Sequence, residues 1–121
     1  MSNPIATPVF TAYRRQVALS AATGVAISPI AFMAFGTSEK PASPDEDTAL
    51  GAEFARIPVV GVVNGVNVTV TGVLTGALAG TRRVTEMAVF TAGGTLVARR
   101  VMKPKEFEDF TELEIIMTLE Y

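Results

Sequence analysis

Twelve acidic side chains, no histidine and no cysteine set the terms for any chemistry this sequence could perform. Asp45, Glu46 and Asp47 are three consecutive carboxylates, and a hard cation such as Ca²⁺ takes several oxygens of that kind. They lack the calcium-loop spacing and its ordering glycine. The alternative is a solvated loop whose charges cap a following short helix. Glu112, Glu114 and Glu120 share the last segment of the chain. Paired carboxylates hydrolyse glycosides only when they converge on a cleft. Carboxylates at i and i+2 of a strand line up along one surface instead. Without histidine there is no Ser-His-Asp arrangement and no side chain whose ordinary pKa lies near neutrality. Without cysteine there is no thiolate nucleophile or soft metal ligand. No catalytic residue, cofactor or metal ligand is expected.

The remaining chemistry-bearing residues are scattered. Gly61, Gly65, Gly72, Gly76 and Gly80 fall in strands and turns, and none forms a phosphate cradle ahead of a helix. Arg14-Arg15, Arg82-Arg83 and Arg99-Arg100 are isolated pairs without interleaved aromatics. They either clasp acidic partner surfaces or are ordinary solvated charge. A net charge of −2 does not fit a nucleic-acid footprint. Asn67-Val68-Thr69 matches a glycosylation sequon, a three-residue pattern frequent by chance.

The elements that would position these residues come from composition and periodicity. The 121 residues are 49% hydrophobic and 18% charged, enough for one core in one domain. The apolar residues are mostly Ala and Val, with much Gly and no Trp, which favours sheets in close contact over a large pocket. So little charge implies that some apolar surface is buried against other subunits. Val17 to Gly36 is uncharged, but its Ala, Gly and Ser content and Pro29 argue against a membrane span.

Residues 1–9 read as an extended arm with two prolines, either frayed or added as a strand to another subunit. Residues 10–121 read as a single domain. Phe10 to Thr23 has helical spacing, with Thr11 as its cap and Gly24 as its left-handed stop. Ile27 to Phe35 is apolar on both faces, as a central strand would be. Gly36 to Asp47 is a polar, proline-bearing loop, and Thr48 to Phe54 a short helix or turn. Arg56 to Val63 and Val66 to Leu74 form a hairpin around Asn64-Gly65. Gly72 and Gly76 there allow a bulge or a close backbone approach. Val84 to Phe90 and Thr95 to Val101 form a second hairpin, ended by Lys103-Pro104-Lys105. Thr111 to Tyr121 is the last strand, with Leu113, Ile115, Met117, Leu119 and Tyr121 on one face and the glutamates on the other. The fold class expected is α+β: an N-terminal helix packed on a mostly antiparallel sheet or sandwich of about six strands.

The order of certain segments carries a resemblance. A Phe10-Thr11 helix is followed by Ile27-Ser28-Pro29-Ile30-Ala31-Phe32-Met33-Ala34-Phe35-Gly36, then by Thr48-Ala49-Leu50 and Arg56-Ile57-Pro58. Thr85-Glu86-Met87-Ala88-Val89-Phe90 leads to Gly94-Thr95-Leu96-Val97-Ala98 and to Lys103-Pro104. This is similar to the N-terminal domain of bacteriophage tail-collar fibre proteins, over about residues 10 to 120. Two positions depart from that family's pattern: its Gly-Asp-Gly loop reads Gly36-Thr37-Ser38 here, and its Asp after Leu-Phe is Thr91.

The resemblance implies a structural virion protein of a phage or phage-derived tail, assembled in the host bacterial cytoplasm. It would be an adaptor or collar attaching tail fibres to the baseplate, ending where the family's anchor ends. The partners expected are copies of itself, as a homotrimer or ring, and other tail, baseplate or fibre proteins, with no nucleic acid and no membrane insertion. The subunit contacts expected near the N-terminus are Ile5, Val9, Phe10, Arg14 and Arg15. Those expected later are Arg82, Arg83, Ile116 and Tyr121. A capsid decoration or head-completion protein is the structural alternative. A carbohydrate-binding β module is the other, although Tyr13 and Tyr121 are the only tyrosines it could stack on a sugar.

Overall fold

The computed structural model describes residues 4–106 and 112–120. The chain runs β1 (Pro4–Pro8), α1 (Thr11–Thr23), β2 (Ile30–Gly36), β3 (Glu53–Pro58), β4 (Gly61–Asn64) and β5 (Asn67–Thr75). It continues through α2 (Gly76–Ala79), β6 (Val84–Thr91), β7 (Leu96–Lys105) and β8 (Glu112–Glu120). The strands form two four-stranded sheets, ordered β1-β8-β5-β4 and β3-β2-β6-β7. Every pairing is antiparallel except β1 with β8. The expected α+β class holds, with eight described strands where the sequence suggested about six.

The sheets pack face to face because alternate residues on each supply apolar inner surface. Val70, Leu74, Ile115, Met117 and Leu119 come from the first sheet, and Met33, Phe35, Met87 and Val89 from the second. Gly72 lets them meet closely: a Cβ there would lie 2.7 Å from Met33 Sδ and 3.1 Å from Ile57 Cδ1. The β5–β8 register runs without a shift through Gly72, so close approach, and no bulge, is its role. β2 is central in its sheet and buried over its second half, as its two apolar faces required.

Helix α1 stops where Gly24 takes φ 76° and its N–H reaches Ser20 O. Its start differs from expectation. Phe10 holds the N-cap position without a side-chain cap, while Thr11 Oγ1 donates to Asp45 Oδ1 at 2.7 Å. Within the helix only Tyr13 is buried. Phe10 N–H donates to Val97 O at 2.7 Å, fastening the helix start to β7.

Four sequence readings change in the folded chain. Pro4–Pro8 is a strand of the chain's own sheet, paired to β8, and no loose arm. The run from Arg56 to Val63 is not one strand. It breaks after Pro58, where Val59 N–H still reaches Ala31 O, and then enters the other sheet as β4. Of the short helix or turn expected over Thr48 to Phe54, the helix does not form; the chain bends at Ala49, Gly51 and Ala52 and enters β3 at Glu53. Lys103-Pro104-Lys105 does not end β7, because β7 is an edge strand, where the missing proline N–H costs no ladder bond.

The first hairpin turn is shifted by one residue. Asn64 pairs with Asn67, leaving Gly65 and Val66 as the two loop residues. Gly65 has φ 66°, the positive value that a type II′ turn needs at its first central position.

Candidate functional site

Two features stand apart from ordinary packing: a buried charged node under the long loop, and an uncharged hairpin at a sheet edge. The node begins with register. Arg99 lies opposite Ala88, and Glu86 opposite Val101, so Glu86 and Arg99 are diagonal neighbours on one face of the β6–β7 pair. Glu86 is 0% exposed and Arg99 2%. Arg99 Nε donates to Glu86 Oε1 at 3.0 Å, Nη1 to Asp47 Oδ2 at 3.1 Å and Nη2 to Lys40 O at 2.8 Å. Glu86 also accepts the backbone N–H groups of Ser38 at 3.0 Å, Gly51 at 2.9 Å and Ala52 at 2.8 Å. Thr85 Oγ1 adds a bond to Ser38 O, and Asp47 Oδ2 accepts Ser43 N–H.

Each of these partners lies in the loop between β2 and β3, or at its edge. The node therefore clamps the loop onto the outer face of the second sheet. A buried carboxylate that already accepts four donors leaves little acceptor capacity for anything else. Its chemistry is positional.

Burial by itself raises the pKa of Glu86, but the N–H groups of Gly51, Ala52 and Ser38 and the Arg99 guanidinium outweigh it and hold the carboxyl below its ordinary 4.5. A folded-state value below the unfolded one adds stability that is complete above the unfolded pKa and lost as pH falls through the folded one. Denaturation midpoints should therefore fall with acidity below about pH 4.5, while Glu86→Gln should flatten that slope. Equal acid slopes in the two proteins would show that the node does not couple to protons.

The hairpin of β4 and β5 is the second feature. No charged residue occurs from Ile57 to Thr81. Within that run Val60 is 76% exposed, Val62 62%, Val63 77% and Val66 87%. Val60, Gly61 and Val63 line a cleft of about 260 Å³ with Tyr13, Pro29, Ile30 and Val68. Isolated surface valines are ordinary, but here Val62 and Val63 face opposite sides of β4, with Val60 before it and Val66 in the turn, so the edge hairpin is apolar on both faces.

The expected contact residues do not gather into one site. Val9 and Phe10 are 3% and 2% exposed and belong to the chain's own core, so they have no surface to offer a partner. Their burial follows from β1 and α1 packing back onto the sandwich. Ile5 lies in β1, with its backbone opposite Met117. Arg14 and Arg15 are exposed on α1, and Ile116 is half-buried on β8. Arg82 lies over the Phe54 ring at 4.9 Å, and Arg83 Nε meets Glu106 Oε1 at 3.3 Å across an exposed pair. Tyr121 lies outside the described residues.

Local sequence marks neither the node nor the exposed valines as a site. In sequence Arg99 stands beside Arg100 as solvated or partner-clasping charge; in the fold it is internal, 2% exposed. Asp45–Asp47, in sequence either a hard-cation cluster or a solvated loop that caps a short helix, is split in the fold: Asp47 joins the node and Asp45 accepts from Thr11. The uncharged run from Ile57 to Thr81 was the available signal for the valine patch.

Among the described residues no helix is long and apolar enough to cross a membrane. No protein-family model matches the chain, and neither does any curated protein or solved structure.

Proposed function

We propose that this chain is a non-enzymatic structural module of a phage or phage-derived tail. In this reading it is an adaptor or collar that attaches fibres to the baseplate by packing its sheets against copies of itself and against neighbouring tail proteins. One observation carries the proposal: the valine-covered, charge-free edge hairpin, a surface that water solvates poorly and a partner strand would cover. Two further points support it. The 84–98 region that resembles the tail-collar fibre anchor forms one hairpin of β6 and β7. The Glu86–Arg99 node fastens an otherwise irregular loop to the sheet, and assembly onto a defined neighbour benefits from a surface ordered beforehand. Tyr13 is buried, which removes it as a sugar-stacking platform.

Antibody–gold labelling of intact particles tests the assignment. Label at the distal tail is the expected result. Label over the head would move the protein to capsid decoration, and particles without label would remove it from the virion.

A further inference from the structure

Two four-stranded open sheets have four edges, and three of them are guarded against pairing. β1 begins and ends on proline, so it lacks N–H groups at both ends. β3 carries Glu53, Arg56 and Pro58. β7 carries Arg100, Lys103, Pro104 and Lys105. Prolines and charges of this kind are how sheet proteins prevent edge-to-edge association. The fourth edge, β4, reads Gly61-Val62-Val63-Asn64 and has neither.

The hairpin register fixes what β4 presents. In a two-residue loop the flanking pair, Asn64 and Asn67, is the hydrogen-bonded one, and bonded and non-bonded pairs alternate from there. Val62 therefore spends its N–H and C=O on Thr69. The N–H and C=O of Gly61 and Val63 point to the open side. Two donors and two acceptors spaced two residues apart are self-complementary under a two-fold rotation centred on Val62.

We propose that β4 pairs antiparallel with β4 of a second copy, joining two first sheets into one eight-stranded sheet; this rests on the assembly reading above and deepens it. Gly61 of each copy faces Val63 of the other across a hydrogen-bonded pair. The two Val62 residues form the non-bonded pair at the axis, where side chains stand closest. A second copy is the occupant because the edge that fits β4 must also be uncharged, free of proline and open, and β4 itself is the described edge with those properties. The contact is isologous, so it closes at two copies and leaves no further β4 edge exposed.

Light scattering of the full chain during gel filtration tests the pairing. The wild type is expected at the mass of two chains. Val62→Lys places two ammonium groups opposite each other and should give one chain, as should Val62→Glu with two carboxylates. An equimolar mixture of the two variants should restore the two-chain mass. Val62 is mostly exposed in the single chain, so circular dichroism and the thermal midpoint of both variants should match the wild type in the dissociated state. A Lys variant that keeps the wild-type mass, or a mixture that stays at one chain, overturns the β4 pairing. A wild type of three or more chains, unmoved by either variant, overturns it too but leaves the assembly reading standing. A wild type that is a single chain at every soluble concentration removes self-association altogether.

Discussion

Glu86→Gln is expected to cost about 3–5 kcal/mol of folding stability, the scale of breaking a buried ion pair by removing one partner. The substitution keeps the shape of the side chain, so it isolates the loss of charge and of acceptors. One carboxylate oxygen accepts Gly51 N–H and Arg99 Nε–H, and the other accepts Ser38 N–H and Ala52 N–H. Whichever way the amide is turned, its NH₂ faces two donors. Arg99, 2% exposed, would keep only Asp47 as a charge partner. Urea denaturation reads the energy, and amide hydrogen exchange reads the location. Protection should fall first at Ser38, Gly51 and Ala52. A midpoint within error of the wild type, with those amides still protected, would mean that the loop is held by something other than the node.

Gly36→Ala is expected to cost about 3 kcal/mol, near the upper end for overpacking a tight site. The reason is space, since Gly36 has no positive φ. A Cβ at Gly36 would overlap Glu86 Oε2 and lie 2.6 Å from Ala52 O, a backbone atom that moves only if the loop does. Gly24→Ala is the internal control. Gly24 has φ 76° with open space around it, so alanine there costs only the left-handed backbone, about 1–2 kcal/mol. Thermal or urea unfolding of the two variants should rank Gly36→Ala as the more harmful. The reverse order would show that the β2 end and the Glu86 carboxylate separate at little cost.

Both expectations concern residues whose importance local sequence did not reveal. In sequence Gly36 is the first residue of a polar loop, and Glu86 one letter of a hairpin. The partners of Glu86 lie 34 to 48 positions away for the loop amides and 13 for Arg99. A residue type says that a carboxylate needs donors when buried. It does not say which strand face will be covered, and therefore whether the carboxylate is buried at all. The same gap explains Val9 and Phe10, apolar residues next to a proline-bearing arm that turn inward once β1 pairs with β8. It explains Lys103-Pro104 as well, where tolerance depended on β7 being an edge.

What the sequence determined by itself was local. The two-residue alternation of β5 and β8, the helical spacing ended by Gly24, the glycine-centred turns and the α+β class all follow from sterics within a few residues of backbone. Tertiary structure alone decided how the strands were shared between two sheets, the break after Pro58 that carries the chain from one to the other, the burial of Arg99 against Glu86, and the exposure of the valines on β4. These depend on which distant backbones share hydrogen bonds. A one-residue change of register would reverse every inward and outward assignment without altering a letter of the local pattern.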